Sequence, residues 1–152
     1  MTAANASSLS DGAAALVVMS AERAEKLHLK PLAKIIACGE ASQAPEWYTT
    51  APIKAAHNAL QKAELTAADI DLFEINEAFS CVTLAAIQEL ALERERVNVN
   101  GGAVSLGHPI GASGARILTT LLYALQNHDK KHGLATLCNG GGEATAIIVE
   151  KT

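Results

Sequence analysis

Apolar positions along the chain alternate between short continuous runs, which suit strands, and three-to-four spacing, which suits helices. Residues 13–19 form an unbroken apolar run of strand length, the pattern of a strand covered on both faces. Ser20 is placed to cap a short helix over 21–27, Pro31 stops it, and 32–38 reads as the next strand. Residues 39–50 lack periodicity and predict an irregular loop holding Pro45, Trp47 and Tyr48. A helix over 52–62 follows, with Thr50 or Ala51 as cap, proline in its first turn and Ile53, Ala56, Leu60 and Ala63 at helical spacing.

Thr66 to Asp69 has the form of a capping box and marks one helical turn. A strand over 72–75, a helix from there to about 92, and a short strand over 97–99 come next. The helix over 112–127 has Ile117, Leu118, Leu121, Leu122 and Leu125 as its buried stripe, closed by Lys130, Lys131, His132 and Gly133. Strands over 134–138 and 144–150, joined through residues 139–142, form a hairpin. Strands alternating with helices predict an α/β layered architecture on a mixed, mostly parallel sheet, with the hairpin as its antiparallel edge.

Composition narrows the picture. Of the 152 residues 49% are hydrophobic but only 3% aromatic, so the core must be packed from Ala, Val, Ile and Leu. A net charge of −4 gives no electrostatic footprint for nucleic acid, and no apolar run approaches a membrane span. Three cysteines without framework spacing predict free thiols in a reducing, cytoplasmic compartment. The polar loop at residues 2–12 has the character of a chain interior, which predicts an upstream portion of a longer protein.

Two glycine-rich blocks, at residues 100–116 and 138–142, each hold one reactive side chain, His108 or Cys138. His108 stands just before a helix start, where imidazole is suited to general-base work and the helix N–H groups to holding an anion. Cys138 ends a strand, where α/β sheets place ligands, and the glycine turn after it offers backbone N–H donors. Asn76 lies at a third strand end, so three polar groups converge on one sheet edge; His108 and Cys138 are expected to face a shared, ligand-sized hollow. Cys38 and Cys81 read as small buried hydrophobes, and Arg116 as either an anion contact, a solvated side chain or a structural pair. The glycine loop matches neither a phosphate-binding P-loop nor the dinucleotide fingerprint. His28, His57, His128 and His132 show no metal-ligand spacing, so no metal is expected.

The blocks Asn5-Ala-Ser7, Asp11-Gly-Ala-Ala-Ala15, Asn76-Glu-Ala-Phe79, Asn98-Val-Asn-Gly-Gly102, Gly107 to Arg116 and Cys138-Asn-Gly-Gly-Gly142 together resemble the C-terminal half of the thiolases. The resemblance implies one βαβαββ half of the thiolase fold over residues 31–152, with residues 1–30 as the end of the N-terminal half. It implies acyl transfer between acyl-CoA molecules, by Claisen condensation or thiolytic cleavage, in fatty acid metabolism, with coenzyme A thioesters as substrates and no tightly bound cofactor. In this reading His108 activates the nucleophile and holds a thioester oxygen, and Cys138 moves the proton at Cα. Asn76 positions a water of one oxyanion site, the N–H of Gly140 serves the other, and Ser7 contacts the pantetheine arm. The family's nucleophilic cysteine belongs to the other half, so the chain alone is expected to be inactive, apolar on its inter-half surface, and a partner of that half in a homo-oligomer. The alternatives are a non-catalytic module binding coenzyme A or a partner, and a Cys138–His108 hydrolase acting by itself.

Overall fold

A computed structural model describes all 152 residues. The chain runs α1 (Ala21–Lys26), β1 (Ala33–Ser42), α2 (Ala51–Ala63), β2 (Leu72–Ile75), α3 (Ser80–Glu89), α4 (Ala103–Leu106), α5 (Ser113–Asn127), β3 (His132–Cys138) and β4 (Glu143–Lys151). The four strands form one mixed sheet in the order β1-β4-β3-β2. β2 runs parallel to β3, whereas β4 is antiparallel to both β3 and β1. The expected βαβαββ order is present, but only one of the three pairings is parallel; the hairpin puts β4 inside the sheet rather than at its edge.

Side-chain alternation along the strands sends successive residues to opposite faces and so builds two cores. Phe73, Ile75, Leu134 and Ile148 pack against the alanine face of α2 (Ala51, Ala55, Ala56, Ala59) and Val82 and Ala86 of α3. Leu72, Ala135 and Val149 meet Ile117, Leu121 and Leu125 of α5 on the other side. The α5 stripe is the one its spacing predicts, with Leu118 at its margin. In α2 the buried side is rotated toward the alanines, leaving Ile53 and Ala63 half-buried. Small residues there let the helix sit close to β1 and β4, which a chain so poor in aromatics requires.

Several expectations need correction. Residues 13–19 form no strand: they have no ladder partner within this chain, and Val17 is 86% exposed. Residues 97–99 do not form a strand either. A 3₁₀ turn over Arg94–Arg96 delivers Val97 to a single parallel bridge with Phe73, and the left-handed Asn98 (φ 50°) then turns the chain away. Finally, residues 130–133 do not all close α5. The helix ends at Asn127 as expected, but of these residues only Lys130 closes it: Asp129 adopts φ 48° and Lys130 N–H bonds back to the Leu125 carbonyl, whereas His132 and Gly133 begin β3. The capping box at Thr66 and the Ser20 cap on Arg23 N–H form as expected, and residues 45–50 wind into a 3₁₀ helix rather than an irregular loop.

These assignments separate two apolar positions that sequence alone treats alike. Leu134→Ala, at a fully buried position in β3, is expected to cost about 2–5 kcal/mol. Val17→Asp is expected to change the stability of the chain by less than about 0.5 kcal/mol. Urea denaturation of the two variants checks the contrast, and a large loss for Val17→Asp would contradict the absence of a packed strand at 13–19.

Candidate active site

Parallel pairing of β2 with β3 places the carboxyl ends of both strands at one edge of the sheet. Ile75 is in register with Thr136, and Asn76 N–H donates to the Thr136 carbonyl at 3.0 Å, so Asn76 and Cys138 leave neighbouring strands at the same end. Asn76 continues the α5-facing alternation of Leu72, whereas Cys138 is buried with Ala144 and Ile148 on the α2–α3 side.

His108 is brought to this edge by a loop tied down at several points. Asn98 substitutes for an edge strand: its Oδ1 accepts Ile75 N–H at 2.8 Å and its Nδ2 donates to the Ile75 carbonyl at 2.9 Å. Nδ2 also reaches Glu77 Oε1 at 3.3 Å, and Glu77 Oε2 accepts the Val104 N–H in the first turn of α4 at 3.0 Å. Gly107 then adopts φ 94°, a left-handed conformation that glycine alone takes readily, and a Cβ there would strike Ser10 Oγ. From the other side, His108 N–H donates to the Ser8 carbonyl at 3.0 Å.

Hydrogen-bond direction assigns the imidazole tautomer. Ser113 Oγ donates its one hydrogen to the Pro109 carbonyl at 3.0 Å, so its 2.6 Å contact with His108 Nδ1 is an N–H donated to the hydroxyl. In the neutral ring Nε2 is then an acceptor, and Asn76 Nδ2 lies 3.4 Å from it. Burial, with a smaller contribution from the Arg116 charge, lowers the His108 pKa below its ordinary value and favours this neutral form. Burial also pushes the Cys138 thiol up, so the sulfur holds its proton at neutral pH. The edge therefore offers a neutral proton acceptor, an amide donor and a protonated thiol.

Of the residues singled out in the sequence, Asn76 and His108 touch. Cys138 arrives at the same sheet edge without a hydrogen bond to either. Gly140 lies exposed in the β3–β4 turn, which Asn139 closes by accepting Gly141 N–H on its side chain. Ser7 is half-buried: its N–H and hydroxyl both bond the Ala78 carbonyl, docking the amino-terminal segment onto the Asn76–Phe79 block. Arg116 is half-buried, and its Nε and Nη1 are turned away from solvent without a protein partner. Tyr48 packs against the core cluster containing Cys138, while Trp47 is 62% exposed. Cys38 and Cys81 are exposed rather than buried, because β1 is an edge strand and Cys81 begins α3 on its outer side; all three thiols are free.

Sequence reading passed over Ser113, Asn98 and Glu74. Glu74 carried a legible signal, a carboxylate inside the apolar run Leu-Phe-Glu-Ile; it is 1% exposed in β2. Burial, opposed by Arg116 and reinforced by Glu77, raises its pKa to about 7.

Comparison with known proteins gives a consistent result. The family model for the thiolase C-terminal domain matches residues 29–151. The acetyl-CoA acetyltransferase of Schizosaccharomyces pombe is 55% identical over 151 residues, covering 99% of this chain and 38% of that protein. Acetyl-CoA acetyltransferase 1 of Arabidopsis thaliana is 55% identical over 150 residues, covering 99% and 36%. The crystal structure of the Bacillus anthracis acetyl-CoA acetyltransferase superposes with a TM-score of 0.97 at 46% identity, over 99% of this chain and 38% of that one. An Ascaris suum thiolase in complex with coenzyme A gives 0.89 at 46% identity, over 99% and 39%. The chain thus spans well under half the length of the relatives it matches.

The buried carboxyl of Glu74 gives the folded state a proton that the unfolded chain releases at ordinary glutamate pH. Stability from this group is fully present below that range and falls as pH rises toward about 7, by about 3 kcal/mol. The difference in unfolding free energy between wild type and Glu74→Gln, measured in urea from pH 5 to 8, is expected to shift in favour of the variant by that order. A flat difference would contradict the buried carboxyl.

Proposed function

The chain belongs to the thiolase family, and from that premise we propose that it supplies the C-terminal half of an acetyl-CoA acetyltransferase, transferring acyl groups between coenzyme A thioesters. The observation that carries the reading is His108 held at Nδ1 by Ser113 Oγ at 2.6 Å with Asn76 Nδ2 3.4 Å from Nε2, an arrangement that suits a neutral imidazole accepting a proton at Nε2. In the proposed reaction the imidazole takes the proton of a nucleophilic thiol, so that sulfur can attack the acyl carbon. That thiol comes from an N-terminal half. In the cleavage direction Cys138 donates its proton to the Cα carbanion as the C–C bond breaks; in condensation its thiolate removes the same proton. The Asn76 amide, through a water, and the N–H of Gly140 hold the oxyanions that develop. Ser7 lines the path of the pantetheine arm.

Several features support a partner half. The accessible surface is 8428 Å², against about 7,300 Å² for a monomer of this mass. A groove of about 580 Å³ runs between α5 and the sheet, lined by Leu16, Ile117, Leu118, Leu137 and Ile147. The apolar run at 13–19 is exposed beside it through Val17 and Val18, at 86% and 69%. Coenzyme A bound to the Ascaris suum thiolase supports the substrate class. Homo-oligomerisation and a reducing, cytoplasmic location, which three free thiols favour, complete the proposal.

Thiolytic cleavage of acetoacetyl-CoA tests it. The chain alone is expected to show none, and mixing with the N-terminal half of a close relative is expected to restore turnover. In the mixture His108→Ala and Cys138→Ser are each expected to lower kcat by about 100-fold or more. Turnover by the isolated chain, or full activity of either variant, would sink the assignment.

A further inference from the structure

Four buried side-chain atoms lack a hydrogen-bond partner within the protein: Glu74 Oε1, Asn76 Oδ1, Arg116 Nε and Arg116 Nη1. They are two acceptors and two donors, and they belong to one neighbourhood. Glu74 and Asn76 are two residues apart at the end of β2, so both point to the α5 face, and each is 1% exposed. Arg116 lies on α5, one turn after the Ser113 that holds His108 Nδ1. Its charge acts on both Glu74 and His108. No salt bridge joins Arg116 to Glu74, so its two buried N–H groups are left without a protein acceptor, which is costly.

We infer that Arg116 is a positioning residue: its two inward N–H groups hold Asn76 Oδ1 and Glu74 Oε1 through bound water, none of these atoms having a direct protein partner, and so turn the Asn76 amide nitrogen toward His108. The match of donors to acceptors is the argument. An acceptor at His108 Nε2 favours the amide nitrogen on that side, and a donor behind the oxygen holds the same orientation from the other. With Oδ1 held from the guanidinium side, Nδ2 faces the imidazole, which is the orientation found at 3.4 Å. Glu74 anchors the guanidinium in turn, so the acid acts through Arg116 rather than on substrate. The groups facing His108 are Asn76 from β2, Ser113 and Arg116 from α5 and the Ser8 carbonyl from the amino-terminal segment; those facing Glu74 are Arg116 and Glu77.

The importance of this clamp for turnover rests on the thiolase reading, but its geometry does not, and NMR of the full chain separates the two. Imidazole ¹⁵N resonances report the His108 titration, and side-chain amide exchange reports Asn76. Arg116→Met is expected to raise the His108 midpoint, because a nearby positive charge is lost, and to speed Asn76 Nδ2 exchange about tenfold. Arg116→Lys is expected to restore the midpoint but not the slow exchange, since a point charge replaces a two-donor fork. Should Arg116→Met fail to fold, Glu74→Gln keeps the shape and is expected to speed the same exchange. An unchanged His108 midpoint together with unchanged Asn76 exchange, in whichever of these variants folds, would overturn the inference. In the reassembled enzyme Arg116→Met is expected to lower kcat with KM little changed; equal loss in both would contradict a positioning role. If reassembly yields no thiolysis even with wild-type sequence while the NMR shifts appear, the clamp stands and the function assignment fails.

Discussion

Everything at the candidate site depends on the four-residue parallel ladder between β2 and β3. A parallel pair brings two carboxyl ends to the same edge, which an antiparallel pair cannot do. Asn76 and Cys138 owe their common edge to it, and so does the loop that returns His108, because Asn98 attaches to the free side of β2 through Ile75 and Phe73. The strand is only four residues long, and all four are buried. Its outer edge is closed not by another strand but by a left-handed asparagine and one bridge, so the sheet ends where the chemistry begins.

The two reactive side chains are governed by opposite uses of burial. The imidazole is kept uncharged by burial and a nearby cation, which preserves it as an acceptor; the thiol is kept uncharged by burial, which preserves it as a donor. Neither state needs a metal or an unusual bond. Both follow from seating polar groups at a strand end, where one side of each group is packed and the other faces the space beyond the sheet.

Much of this was legible in the amino-acid order. The stripe of α5, the extent of β2 and the β3–β4 hairpin follow from periodicity and glycine placement, and His108 and Cys138 stood out because each is set among glycines. Other parts were not. Residues 13–19 carry the signature of a doubly covered strand, yet apolar character reports a need for burial and not whether this chain meets it. Ser113 lies five residues beyond His108 and resembles an ordinary helix-start serine; only the turn at Pro109 makes it a hydrogen-bond partner. Asn98 reads as the middle of a short strand over 97–99, and its pairing with Ile75 spans 23 positions. Arg116 stayed open between an anion contact, a solvated side chain and a structural pair, because sequence records a charge but not the direction in which a long side chain is folded.

The amino-terminal segment has a consequence of its own. Ser8 holds the His108 backbone, Ser7 bonds behind Asn76 at Ala78, and single bridges tie Ala6 to Phe79 and Leu9 to His108. A stretch without regular structure thus splints the two loops that carry the acceptor and the amide. A cut within residues 6–10, or a bulky insertion there, would slacken the imidazole without removing a single reactive atom.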